Sequence, residues 1–249
     1  MTPRHSESWS LVTFVMSLVA AIYQRVGDVK RVTLTREPPR NDEVRRRLEG
    51  RCFVQELPLT TTREFEMAEV DRALDGLGDD PQSIVVTSAR AAMFVARAQQ
   101  RFPRAIVVTV GPATLRALEL QGVSGAHLSP ALSATSIAAM DLATPVLSLG
   151  ALHPRPELAN GLAARGLAHT HVAVYETTPR VLTSMDQDLL ATSDVVVIGA
   201  PSAWAVASPH IRPETVVVAQ GTTTAEAVRE THSAVVMAAT PEEIESALF

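Results

Sequence analysis

From Lys30 onward the hydrophobic positions fall into two kinds of pattern that alternate along the chain. One is a short unbroken aliphatic run closed by Gly, Pro, Ser or Thr, as expected of a strand buried on both faces. The other is an amphipathic stretch with apolar residues three or four apart, as expected of a helix covering such a strand. Strands are predicted at residues 31–35, 52–57, 83–87, 105–110, 146–149, 169–174, 194–198, 215–219 and 234–238. Helices are predicted between them, among others at 42–48, 89–99, 113–120 and 156–164. The alternation predicts βα units and therefore an α/β fold built on parallel sheet.

The pattern also repeats itself, with a period of roughly 110 to 117 residues. Ile84-Val85-Val86-Thr87-Ser88-Ala89-Arg90-Ala91 answers to Val196-Val197-Ile198-Gly199-Ala200-Pro201-Ser202-Ala203, each an aliphatic strand that breaks into small residues and then a helix. Gly111-Pro112-Ala113-Thr114 answers to Gly221-Thr222-Thr223-Thr224 in the same way. Gly50 and the strand running to Glu56-Leu57 answer to Gly166 and the strand running to Val174-Tyr175-Glu176. Two copies of one α/β unit predict two lobes, and a cleft between lobes is a common place for a ligand.

Composition narrows the chemistry. The chain of 249 residues is 46% hydrophobic with only 4% aromatics, so its core is aliphatic, which suits parallel strands under helices. A net charge of -5, with Lys and Arg dispersed, gives no footprint for nucleic acid or for an anionic membrane. The single cysteine, Cys52, leaves no internal disulfide or multi-cysteine metal site, fits a reducing cytoplasm, and is expected to fill core. Residues 1–29 form an apolar N-terminal extension. Its run at 11–23 is shorter than the roughly 20 residues needed to span a bilayer and lacks a small-x-small cleavage site. An extra helix is the expectation there, with an over-extended start or a targeting segment as alternatives.

In a parallel sheet the turns after the strands' carboxyl ends face the ligand. Four such turns place hydroxyls, Gly or Pro where a helix begins: Thr87-Ser88-Ala89-Arg90, Gly111-Pro112-Ala113-Thr114, Ala200-Pro201-Ser202-Ala203 and Gly221-Thr222-Thr223-Thr224. Helix capping alone accounts for Ser or Thr at any one of them. Four turns in two matched pairs point further, to an anionic ligand bound at helix N-termini. Of the histidines only His169 and His171 come close in sequence, sharing one face of a strand, and two ligands without a partner motif make a poor metal site. No GxSxG, P-loop, HExxH or GxGxxG motif occurs, which favours a reaction without a cofactor.

Taken in order, these segments resemble the uroporphyrinogen-III synthase family from about Lys30 to Phe249. The elements that carry the likeness are Thr35-Arg36-Glu37-Pro38, Glu56-Leu57-Pro58, Thr87-Ser88-Ala89-Arg90-Ala91, Gly111-Pro112-Ala113-Thr114-Leu115-Arg116, Val174-Tyr175-Glu176-Thr177, Pro201-Ser202-Ala203, Gly221-x-Thr223-Thr224-Ala225-Glu226 and Pro241-Glu242-Glu243-Ile244. The resemblance implies two similar parallel-sheet lobes, flavodoxin-like units joined by a two-stranded crossover. Residues 30–57 plus 178–249 would form a discontinuous first lobe and 58–177 the second. It also implies a lyase in heme biosynthesis, acting on the small molecule hydroxymethylbilane; a cytoplasmic protein is expected from the lone cysteine, and a monomer because nothing in the sequence supports a higher assembly. The terminal hydroxyl leaves as water and the ring closes with the last pyrrole inverted. Tyr175 matches the family tyrosine that would assist this departure, and a phenol can donate a proton at neutral pH. Arg36 and Arg90 would pair with substrate carboxylates. Thr87, Ser88, Gly111, Thr114, Ser202, Gly221, Thr223 and Thr224 would supply hydroxyl and backbone contacts. The chain departs from the family at Gly199-Ala200, where Thr-Ser is frequent, and at Leu149-Gly150, where Arg-Gly is common. Two other readings stay open at this point: a tetrapyrrole-binding regulatory homologue without activity, and a bilobed solute-binding protein exported by the 11–23 segment.

Overall fold

In a computed structural model the protein is described over residues 29–131 and 133–249, so the expectations for the N-terminal extension lie outside the described residues. The chain runs through β1 (Arg31–Leu34), α1 (Asp42–Leu48), β2 (Phe53–Glu56), β3 (Thr60–Glu64), α2 (Met67–Asp75), β4 (Ser83–Val86), α3 (Ala92–Arg101), β5 (Ile106–Thr109), α4 (Pro112–Leu120) and β6 (His127–Leu128). It continues through α5 (Ala134–Ala139), β7 (Val146–Ala151), α6 (Pro156–Ala164), β8 (His169–Pro179), α7 (Ser184–Ala191), β9 (Val195–Ile198), α8 (Pro201–Ala207), β10 (Val216–Ala219), α9 (Thr222–Arg229), β11 (Val235–Met237) and α10 (Pro241–Leu248). This is the mixed α/β architecture on parallel sheets that the hydrophobic pattern predicts.

Two compact units result. One takes the described chain up to Thr61 together with Pro179–Phe249, and the other is Thr62–Thr178. The first holds a five-stranded sheet in the order β11-β10-β9-β1-β2, every neighbouring pair parallel. The second holds the order β3-β8-β7-β4-β5-β6. Leaving β3 aside, the repeat maps one sheet onto the other strand for strand, β2-β1-β9-β10-β11 onto β8-β7-β4-β5-β6. The two units thus share a spatial order but enter it at different points of the chain, as circular permutants of one another. The structure accordingly bears out the duplicated, flavodoxin-like architecture with its two-stranded connection, β3 lying beside β8.

The central strands explain why these sequences fold so. Ser83-Ile84-Val85-Val86 and Val195-Val196-Val197-Ile198 are buried at every position, because helices cover both faces. Their side chains divide between two cores in each unit: Ile84 and Val86 pack with Phe94 and Leu147, while Val85 packs with Ile137 and Leu162. In the other unit Val195 and Val197 pack with Leu34 and Ile244, while Val196 and Ile198 pack with Trp204 and Val217. Two strands escape the hydrophobic pattern. Thr60-Thr61-Thr62-Arg63-Glu64 has no apolar residue to alternate, and His127-Leu128 is a two-residue edge strand exposed at both positions.

Candidate active site

At the carboxyl edge of the Thr62–Thr178 unit, β4 is followed by Thr87 and the chain turns at Ser88, whose Oγ accepts from Arg90 N at 3.4 Å. Thr87 is exposed and Ser88 half-buried. This short cap directs the Arg90 side chain toward the crossing strands. Its Nη1 donates to Thr62 Oγ1 on β3 and, at 3.1 Å, to Thr177 Oγ1 on β8, and the two hydroxyls are themselves 3.1 Å apart. The Arg90 guanidinium also lies 5.8 Å from the centre of the Tyr175 ring, within cation–π range. Tyr175 is 8% exposed and packs into the core with Val174 and Phe94. Its hydroxyl makes no hydrogen bond to another described residue. The neighbouring turn, Gly111 with Pro112, opens α4 at the end of β5, and nothing occupies the space a Gly111 Cβ would take.

Arg90 thus meets Tyr175 and brings in two further residues, Thr62 and Thr177. Thr177 lies in the Val174-Tyr175-Glu176-Thr177 segment, which was the signal available for it, whereas no motif marks Thr62. Thr114 does not join this surface: it is 6% exposed, in the first turn of α4, with its N–H bonded to Gly111 O at 3.0 Å.

The first unit presents the corresponding edge. Leu34 lies opposite Val197 in the β1–β9 pair, so Arg36 emerges beside Gly199. A Cβ at Gly199 would stand 2.9 Å from Arg36 Cγ and 3.0 Å from its Cδ. The glycine found where the family often carries threonine is thus the residue that leaves room for the Arg36 stem. Gln220 comes to the same spot, its Oε1 3.3 Å from that Cβ position and buried without a hydrogen-bond partner among the described residues. Gln220 is a further residue missed in the sequence; a polar side chain where the other copy has Val110 was the clue. Ser202 and Thr223 are exposed in the first turns of α8 and α9, whereas Thr224 is 4% exposed. Gly221 opens α9 at φ 136°, ψ 158°, a backbone region confined essentially to glycine.

Each edge by itself can offer helix N-termini, hydroxyls and an arginine to an anionic ligand, and that of the Thr62–Thr178 unit adds one buried phenol as a proton donor. Among the described residues no group of three or more His, Cys, Asp or Glu is placed to hold a metal ion. No helix among them is long and apolar enough to cross a membrane.

A family model described as Uroporphyrinogen-III synthase HemD matches residues 42–248. Among solved structures, a mutant uroporphyrinogen III synthase from the extreme thermophile Thermus thermophilus superposes with a TM-score of 0.62 at 15% identity, over 88% of this chain and 98% of that one. Uroporphyrinogen-III synthetase from Helicobacter pylori superposes with a TM-score of 0.56 at 16% identity, over 88% and 99%. A search among curated proteins finds no match. At these identities the structural likeness speaks for the fold, and the family model for the lineage.

Proposed function

This chain belongs to the uroporphyrinogen-III synthase family, and from that premise we propose how its own residues close hydroxymethylbilane into uroporphyrinogen III. The step is a cyclising hydro-lyase reaction. The terminal hydroxyl leaves the linear tetrapyrrole as water, and the azafulvene cation that remains is attacked so that the last ring is inverted. A departing hydroxyl needs a proton, and Tyr175 is the donor at hand. The observation that carries this reading is the pairing of Arg90 with Tyr175 at the carboxyl edge of the sheet. A substrate carboxylate would compete with the threonine hydroxyls for Arg90 and would so be seated next to the phenol. Arg36 and the N-termini of α4 and α9 would take further carboxylates. Most of the rate enhancement would come from holding a flexible chain in one reactive fold. The reaction asks for no cofactor, and the lone Cys52 suits a cytoplasmic enzyme, here read as a monomer.

The purified protein is expected to convert enzymatically generated hydroxymethylbilane so that oxidation of the product yields uroporphyrin III. Recovery of uroporphyrin I alone, the outcome of spontaneous closure, would sink the assignment. Tyr175→Phe is expected to keep the fold and to lower kcat by on the order of a hundredfold, the usual worth of a general acid. Unchanged kinetics would remove Tyr175 from the mechanism.

A further inference from the structure

Over most of their length β7 and β8 pair in regular parallel register, from Val146 opposite His169 to Gly150 opposite Ala173. Ala151 then lies opposite Tyr175, so Val174 is an extra residue on β8 and the ladder breaks there. An extra residue inverts the alternation of faces beyond it. Val172, Val174 and Tyr175 accordingly all belong to one aliphatic core. In unbroken alternation Tyr175 would share a face with His169 and His171 instead. The bulge is what turns Tyr175, and Thr177 after it, toward Arg90.

The break is tied on both strands. Leu152 N donates to Tyr175 O at 2.7 Å. The carbonyl of Ala151 is met by a side chain, His171 Nε2, at 2.8 Å. A carbonyl can only accept, so Nε2 carries the proton and Nδ1 of the neutral ring is an acceptor. Ser148 Oγ donates to that Nδ1 at 2.9 Å, and its lone pair accepts from His169 Nε2 at 2.8 Å. Ser148 is 5% exposed in the otherwise aliphatic start of β7. A buried polar residue there is costly unless bonded, and here each bond fixes the direction of the next.

We propose that His171, held in one tautomer by Ser148, is a positioning residue for Tyr175, because it fixes the Ala151 carbonyl at the bulge that aims the phenol. The inference rests on the reading of Tyr175 as the proton donor, and its test separates the two. The chain has two tyrosines, so full-length protein labelled with 3-fluorotyrosine reports Tyr175 by fluorine NMR, with Tyr175→Phe assigning the resonance. His171→Ala is expected to shift or broaden that resonance and to lower kcat on the order of tenfold with KM nearly constant. His171→Gln keeps an N–H donor and is expected to recover most of both. In the Tyr175→Phe background His171→Ala should cost less than about twofold, since the hydroxyl being positioned is gone. If His171→Ala does not fold, Ser148→Ala removes only the tautomer lock and carries the same expectations at smaller size. An unmoved resonance, or an equal loss in the Phe background, overturns the proposal. A shifted resonance together with full activity of Tyr175→Phe upholds the positioning and overturns the proton-donor reading alone.

Discussion

Gly111 and Gly221 occupy matched turns but answer to different backbone demands. Gly111 sits at φ -143°, ψ 162°, ordinary extended backbone open to any residue, whereas Gly221 sits at φ 136°, ψ 158°. Neither Cβ position has an atom within 4 Å, so a methyl group would meet backbone strain alone. Gly221→Ala is therefore expected to cost about 1–3 kcal/mol and Gly111→Ala close to nothing. Equilibrium denaturation of the two variants decides it, and equal losses would refute the distinction. Residue identity alone does not reveal such differences. The departure at Gly199 was visible in the sequence, yet its meaning was not, because Arg36 lies far away along the chain and reaches Gly199 only through the β1–β9 pairing.

Among the elements, β8 shows most clearly what periodicity can and cannot reveal. Its aliphatic half was legible, but the strand runs on to Pro179 through Glu176-Thr177-Thr178, where β-branched polar residues pair with β3 and bury no apolar stripe. The one-residue bulge was hidden too, since inserting Val174 leaves the apolar pattern intact and changes only which face follows. Its opening residue also makes the element sensitive to pH. Burial first, and the neighbouring His171 second, hold the His169 imidazole below its ordinary value of 6.5. The unfolded chain therefore takes up this proton at higher pH than the folded one. Stability from this group is complete above about pH 6.5 and falls as pH drops through it, levelling off once the folded ring also protonates. The denaturation midpoint of the wild type should decline more steeply between pH 7 and pH 5 than that of His169→Gln. Parallel profiles would contradict the assignment.

At the scale of the whole molecule, each hydrophobic core lies within a single unit: those built around Phe94 and Ile137 draw only on the Thr62–Thr178 unit, those around Leu34 and Trp204 only on the other. A unit with its own core can fold alone. A fragment of residues 60–179, which keeps β3 and β8 whole, is expected to unfold in one cooperative thermal transition with native-like circular dichroism. A gradual, featureless melt would show that it depends on the rest of the chain. The duplication was legible because small residues recur after matched strands, while the permuted strand order was not, since local pattern says nothing about which strands become neighbours. That order has a consequence for synthesis. β1 gains its second neighbour only when β9 emerges, and Thr33 meets Ser193 across 160 positions of chain. At ribosomal rates this is a wait of roughly ten to thirty seconds. The inserted unit is complete by Thr178, so it can be finished while the earliest of the described strands still stands with one edge bare.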